Sequence, residues 1–128
     1  MIKNPKVSGL KILIAEDDEI SALLLTILVK EFQEQVFRAK TGIEAIDICY
    51  KNPDIDLIFM DIQMPGLNGD EAARKIQEFN KDVIIIAQTS FGLSGDREKA
   101  ITAGCNDYIT KPINKDQLDS LIQKYFKK

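Results

Sequence analysis

Three stretches of the chain, Leu10 to Ala15 (LKILIA), Leu57 to Met60 (LIFM) and Asp82 to Thr89 (DVIIIAQT), are nearly continuous apolar runs of strand length. A strand with one wet face alternates apolar and polar residues, whereas runs like these belong to strands covered on both faces. That condition is met in a parallel sheet with helices packed above and below it. Two shorter β-like segments, Glu34 to Arg38 and Asp107 to Thr110, bring the strands to five.

Helical segments alternate with them. Good helix formers run from Ile20 to Phe32. Thr41-Gly42 opens a helix carrying Ile43, Ile46 and Cys49, which stops before Asn52-Pro53. After the Met64-Pro65-Gly66 break, Asn68 caps GDEAARKIQEF, with acids in its first turn. A polar helix is expected from about Asp96 to Ala103 with Gly104 as its C-cap, and an amphipathic one from Lys115 to Phe126. The expectation is a single α/β domain over residues 1–128, its core from about 10 to 126, built as an open five-stranded parallel sheet with helices on both faces.

In such a sheet every strand ends at the same edge, where ligands and chemistry collect. Here those ends carry Glu16 and Asp17 after the first strand, Asp61 after the third, Thr89 with Ser90 after the fourth and Lys111 after the fifth. Taken singly, Glu16, Asp17 and Asp18 read as caps of the next helix, and Asp18 is expected to be one. Thr89 and Lys111 alone are ordinary strand-end residues, and Tyr108 alone a half-buried core aromatic. Together they are three acids, a hydroxyl and an ammonium. Three carboxylates held close repel one another, and a hard cation such as magnesium relieves them. A magnesium ion, a lysine and a hydroxyl donor are also what a phosphoryl group requires. Asp61 is the only carboxylate central enough to be the nucleophile.

The segments ILIAEDDEIS, LIFMDIQMPGLNG and IIIAQTSFGLSGDREKAITAGCNDYITKPI, in this order and spacing, closely resemble the receiver domain of two-component response regulators, above all the receivers of hybrid sensor histidine kinases. The resemblance implies a flavodoxin-like fold with strand order 2-1-3-4-5. It implies that Asp61 accepts a phosphoryl group from a phosphohistidine on a histidine kinase or histidine phosphotransfer protein, with Mg2+ as cofactor, in a signalling phosphoacceptor that is not an enzyme in the usual sense but assists its own phosphorylation and dephosphorylation. Asp17 and Asp61 would ligate the metal, Glu16 through water, and the backbone carbonyl of Gln63 would complete the set. Lys111 would pair with Asp61 and later with a phosphoryl oxygen, through a cis Lys111-Pro112 bond. Thr89 would donate its hydroxyl to the phosphoryl group and move towards it, with Tyr108 turning inward behind it. Gln63 and Phe91 would flank the path of hydrolytic water, and a bulky Phe91 implies a comparatively persistent aspartyl phosphate.

Two departures stand out. Glu16 occupies a position where the family often has aspartate, and Gln88 stands in a strand position where an apolar residue is commoner. A rival reading, a magnesium-dependent phosphatase using an aspartyl phosphate, wants a second acid two residues after Asp61, where this chain has Gln63. Another, a docking module that is never phosphorylated, would be marked by loss of an acid, the threonine or the lysine, and none is lost.

The first helix holds more apolar surface than one face can hide. Leu24, Leu25 and Leu28 are expected to face the core, leaving Ile20, Leu23 and Ile27 as an exposed patch for the histidine-bearing partner. Composition bounds the rest. A net charge of -3 and a pI near 5.0 argue against a nucleic-acid surface. No apolar run is long enough to cross a bilayer, and the N-terminus lacks the apolar core of a signal peptide, so a cytoplasmic location is expected without membrane insertion. Cys49 and Cys105 lack ligand-like spacing and are expected as free thiols. With no histidine, the chain has no Ser/His/Asp triad and no phosphohistidine of its own.

Overall fold

A computed structural model describes residues 7–64, 66, 68–89 and 104–127. Its strands are β1 (Leu10–Ala15), β2 (Gln33–Ala39), β3 (Leu57–Asp61), β4 (Ile84–Thr89) and β5 (Asp107–Thr110). All pair in parallel, in the order β2-β1-β3-β4-β5. Among the described residues there are four helices: α1 (Glu19–Leu28), α2 (Gly42–Lys51), α3 (Gly69–Phe79) and α4 (Lys115–Phe126). The helix expected from Asp96 to Ala103 lies outside the described residues. Gly104, expected as its cap, has φ +103°, a conformation that costs only glycine little.

The apolar runs fill two cores, one on each face of the sheet. Leu13, Ile58, Met60, Ile85 and Ala87 pack against Ala45 and Cys49 of α2 and Ala72, Ala73 and Ile76 of α3. Ile12, Ile14, Phe59, Ile86 and Ile109 pack against Leu25 of α1 and Leu118 and Ile122 of α4. Side chains alternate along each strand, so odd and even residues of one run serve opposite cores. That is why the runs are continuous rather than alternating. Cys49 and Cys105 are buried free thiols, pushed up to about 12 by desolvation, Cys105 with a smaller contribution from Asp70.

Helix starts follow the capping residues read from sequence. Asp18, Thr41 and Asn68 each accept a hydrogen bond from the backbone N–H three residues on. Asn114 does the same for α4.

The first helix departs from expectation in two ways. It ends at Leu28 rather than continuing to Phe32, because a turn carries Val29 and Phe32 into the core, with Phe32 N donating to Val29 O at 2.9 Å. Leu24 does not face the core; it is 47% exposed. The buried line is Ala22, Leu25 and Val29, spaced three and four residues apart as one helical face demands, and Leu24 lies about 100° of helical turn from Leu25.

Gly69 ties this scaffold to the strand end that matters. A Cβ built there would overlap the backbone carbonyl of Asp61 and lie 2.7 Å from the Cα of Ile62. Only a residue without a side chain lets α3 approach the end of β3 so closely. Gly69→Ala should therefore cost roughly 1–3 kcal/mol through overpacking, read as a fall in thermal midpoint. A midpoint equal to that of the parent would mean that the contact relaxes freely.

Candidate phosphoacceptor site

Strand alternation sets the site. Ile14 and Phe59 face the α1/α4 core, so Glu16 and Asp61, two residues further along β1 and β3, come up on that same face at the carboxyl edge. Both are nearly sealed from water, whereas Asp17 is exposed on the loop. Each of Glu16, Asp17 and Asp61 offers a carboxylate oxygen, and these oxygens all lie within 4.8 Å of one another. Residues 45 positions apart in sequence thus form one anionic cluster of oxygen donors, the chemistry a hard divalent cation requires.

Lys111 compensates part of that charge. Its ammonium is hydrogen-bonded to Glu16 Oε1 and lies 3.4 Å from Asp61 Oδ2. The expected pairing with Asp61 is present, but Glu16 is the closer partner; a glutamate reaches one methylene further than an aspartate. Desolvation raises the Glu16 pKa from its ordinary value against the opposing pull of Lys111, and neighbouring Asp61 adds to the rise. Desolvation would lower Lys111, but the two acids outweigh it and hold it above its ordinary value. The Lys111-Pro112 bond is cis, as expected, and Lys111 N donates to Thr89 O at 2.7 Å, prolonging the β4–β5 ladder into the turn.

Asp61 Oδ1 accepts from Gln63 N at 2.9 Å, which folds the loop after β3 back over the strand end. Thr89 is the buried last residue of β4. Ala87 pairs with Tyr108, and Tyr108 packs partly buried against the α2/α3 core, so Thr89 and Tyr108 share that face. Phe91 lies outside the described residues. Ile20, Leu23 and Ile27 are 78%, 61% and 59% exposed, and Leu24 widens the stripe they form.

Two residues escaped the sequence reading or went unexplained by it. Arg38, near the end of β2, donates from Nε and Nη2 to the carbonyl oxygen of Glu16 at 2.9 and 2.6 Å, and from Nη1 to Glu19 Oε2 at 3.2 Å. It clamps the loop bearing the acids to the neighbouring strand and to the first residue of α1. Its role follows from register, which pairs Arg38 with Ile14 and turns it to the α1 side, and periodicity alone carries no signal for that pairing. Gln88 is the register partner of Asp61 and is buried.

Comparison with known proteins gives a consistent picture. The family model described as "Response regulator receiver domain" matches residues 12–123. The osmolarity two-component system protein Ssk1 of Saccharomyces cerevisiae is 33% identical over 94% of the chain, which spans only 20% of that protein. The receiver of Ssk1, solved in complex with the histidine phosphotransfer protein Ypd1, superposes with TM-score 0.86 at 35% identity, over 95% of this chain and 92% of that one. The receiver of sensor histidine kinase PA1611 from Pseudomonas aeruginosa, solved with magnesium in its active-site cleft, gives 0.81 at 31% identity, over 92% and 98%.

The crowding of carboxylates has a measurable consequence. Without divalent cations, Asp61→Asn should raise stability by on the order of 1 kcal/mol by removing one of three mutually repelling charges. Magnesium at ten times its dissociation constant should stabilise the parent by about 1.4 kcal/mol and the variant far less. Thermal melts with and without the ion check both; a variant less stable than the parent in the absence of metal would contradict the electrostatic account.

Proposed function

Because the chain belongs to the response regulator receiver family, we propose that it is the phosphoacceptor of a two-component phosphorelay, taking a phosphoryl group from a partner phosphohistidine onto Asp61. The observation that carries this reading is the convergence of Glu16, Asp17 and Asp61 at one edge with Lys111 against two of them.

Transfer needs an oxygen nucleophile in line with the breaking P–N bond. An Asp61 carboxylate oxygen forms the new P–O bond, and the imidazole nitrogen leaves with the electron pair. Lys111, already beside Asp61, moves its ammonium from carboxylate to phosphoryl oxygen without crossing the cleft. Thr89, at the end of the adjacent strand, supplies its hydroxyl to a second oxygen, and Tyr108, on the same face, follows it inward. Arg38 holds the Glu16 carbonyl, which keeps the acidic loop from recoiling as charge accumulates.

The donor set suits magnesium. Asp17 and Asp61 would hold it directly, Glu16 through water, with the Gln63 carbonyl completing the set; bound there, it would neutralise charge on carboxylate and phosphoryl oxygens alike. Glu16 is in addition engaged by Lys111, which fits an indirect role.

A chain of this kind is a signalling phosphoacceptor. That it also assists its own dephosphorylation, with Gln63 and Phe91 beside the path of water and Phe91 slowing it, belongs to the same reading. So do a single receiver unit over residues 1–128 and a cytoplasmic location, where buried Cys49 and Cys105 would stay reduced. Among the described residues no helix is long and apolar enough to cross a membrane. The partner is a histidine kinase or a histidine phosphotransfer protein, the class of protein seen on the Ssk1 receiver. The stripe of Ile20, Leu23 and Ile27 on α1 is its seat.

Incubation with acetyl phosphate and magnesium, followed by intact-mass analysis, should add one phosphoryl group to the parent and none to Asp61→Asn. Gain in both or in neither overturns the assignment. Polar substitution of Leu23 and Ile27 together should slow transfer from a phosphotransfer protein at least tenfold more than loading from acetyl phosphate; equal slowing would remove α1 from the docking surface.

A further inference from the structure

Beside the acidic cluster lies a cavity of about 310 Å³ between α1 and the turn after β5. Leu24, Leu25, Pro112 and Ile113 form its apolar wall, and Gln88 and Lys111 also line it. Gln88 is 1% exposed, and its Nε2 has no hydrogen-bond partner among the described residues. A buried amide left without an acceptor is destabilising, and native structures rarely keep one without a use for it. Leucine would fill the same space without that penalty.

The position of Gln88 points to what the donor is for. It pairs in register with Asp61 on the neighbouring strand and lies on the same face, so the cavity adjoins the phosphoacceptor. Lys111 borders both. Leu24 belongs both to the cavity wall and to the exposed stripe of α1. Any protein that seats itself on that stripe while presenting a phosphohistidine to Asp61 must pass over the cavity.

We propose that the cavity receives a side chain of the phosphotransfer partner, one with an apolar stem and a neutral hydrogen-bond acceptor at its tip, and that Gln88 Nε2 donates to that tip. Its volume is near the lower end of the roughly 300–1,000 Å³ range of small-ligand clefts, which suits a side chain better than a nucleotide. The tip is neutral because Glu16, Asp17 and Asp61 already exceed Lys111 in charge, so a carboxylate would be repelled. The stem meets Leu24, Leu25 and Ile113. Gln88 is thereby a specificity-determining residue: a partner whose inserted side chain lacks an acceptor leaves Nε2 buried and unpaired, and binds less well.

This inference rests on the reading that a histidine phosphotransfer protein docks on α1, and its test separates the two. The ¹⁵N-labelled chain is titrated with unphosphorylated yeast Ypd1, and the Gln88 side-chain amide signals are assigned by their loss in Gln88→Leu. On binding, that amide pair should shift together with backbone amides of α1. Gln88→Leu should also slow transfer from phosphorylated Ypd1 at least fivefold relative to loading from acetyl phosphate. A Gln88 amide pair that stays unmoved while α1 shifts, or equal slowing with both donors, overturns the inference and leaves the phosphoacceptor reading intact. No α1 shift in a chain that still loads from acetyl phosphate overturns it as well. Failure of the parent to load at Asp61 sinks the phosphoacceptor reading itself. The parent's spectrum decides the matter even where the variant is less stable.

Discussion

Glu16 and Asp61 are carboxylates at the ends of neighbouring strands, nearly sealed from solvent, with one ammonium beside both. Holding two acids this close and this far from water costs desolvation and mutual repulsion. Lys111 offsets part of the repulsion, and the exposed Asp17 leaves the cluster open to a cation from solution. The surrounding structure serves to keep this unstable grouping in place. Asp61 ends β3 and Glu16 directly follows β1, and the parallel pairing of these two strands inside the sheet holds the acids side by side.

The supports come from every side. Arg38 pins the carbonyl of Glu16 from β2, Gln63 closes over Asp61 from the following loop, and Gly69 admits α3 against the end of β3. Lys111 is held by a backbone bond to Thr89. An incoming phosphoryl group would thus meet groups already aimed, and the energy of binding would go into changing partners rather than into ordering loose side chains. Glu16 in place of the family's more usual aspartate fits this picture, since its longer side chain reaches Lys111 and gives the ammonium a resting partner beside Asp61.

The outer surface of α1 divides along the same logic. Ala22, Leu25 and Val29 are spent on the core, while Ile20, Leu23, Leu24 and Ile27 remain in water at a standing hydrophobic cost. Burial in a partner removes that cost. Gln88 carries a comparable debt in hydrogen bonding at the adjoining cavity. An apolar stripe and an orphan donor thus lie side by side near Asp61, and the docking proposed above would relieve both costs at once.

Much of this was legible in the linear order of residues. Continuous apolar runs alternating with capped helices determine a doubly covered parallel sheet, because both faces of each strand must be hidden, and a parallel sheet brings all its strand ends to one edge. Asp61, Glu16, Asp17, Thr89 and Lys111 could be named on that basis. What sequence could not decide were matters of rotation and reach. Periodicity alone allows Leu24 to face inward, yet the helix turns it outward, since a segment this rich in apolar residues leaves the buried line ambiguous until a sheet is there to choose it. Arg38 carries no signal of its role in the sequence and Gln88 only an unexplained departure, because what each does depends on which neighbour lies across the sheet. Sequence fixes what a residue can do through its chemistry and local periodicity; the partner it does it with is set by strand register, which only the folded chain possesses.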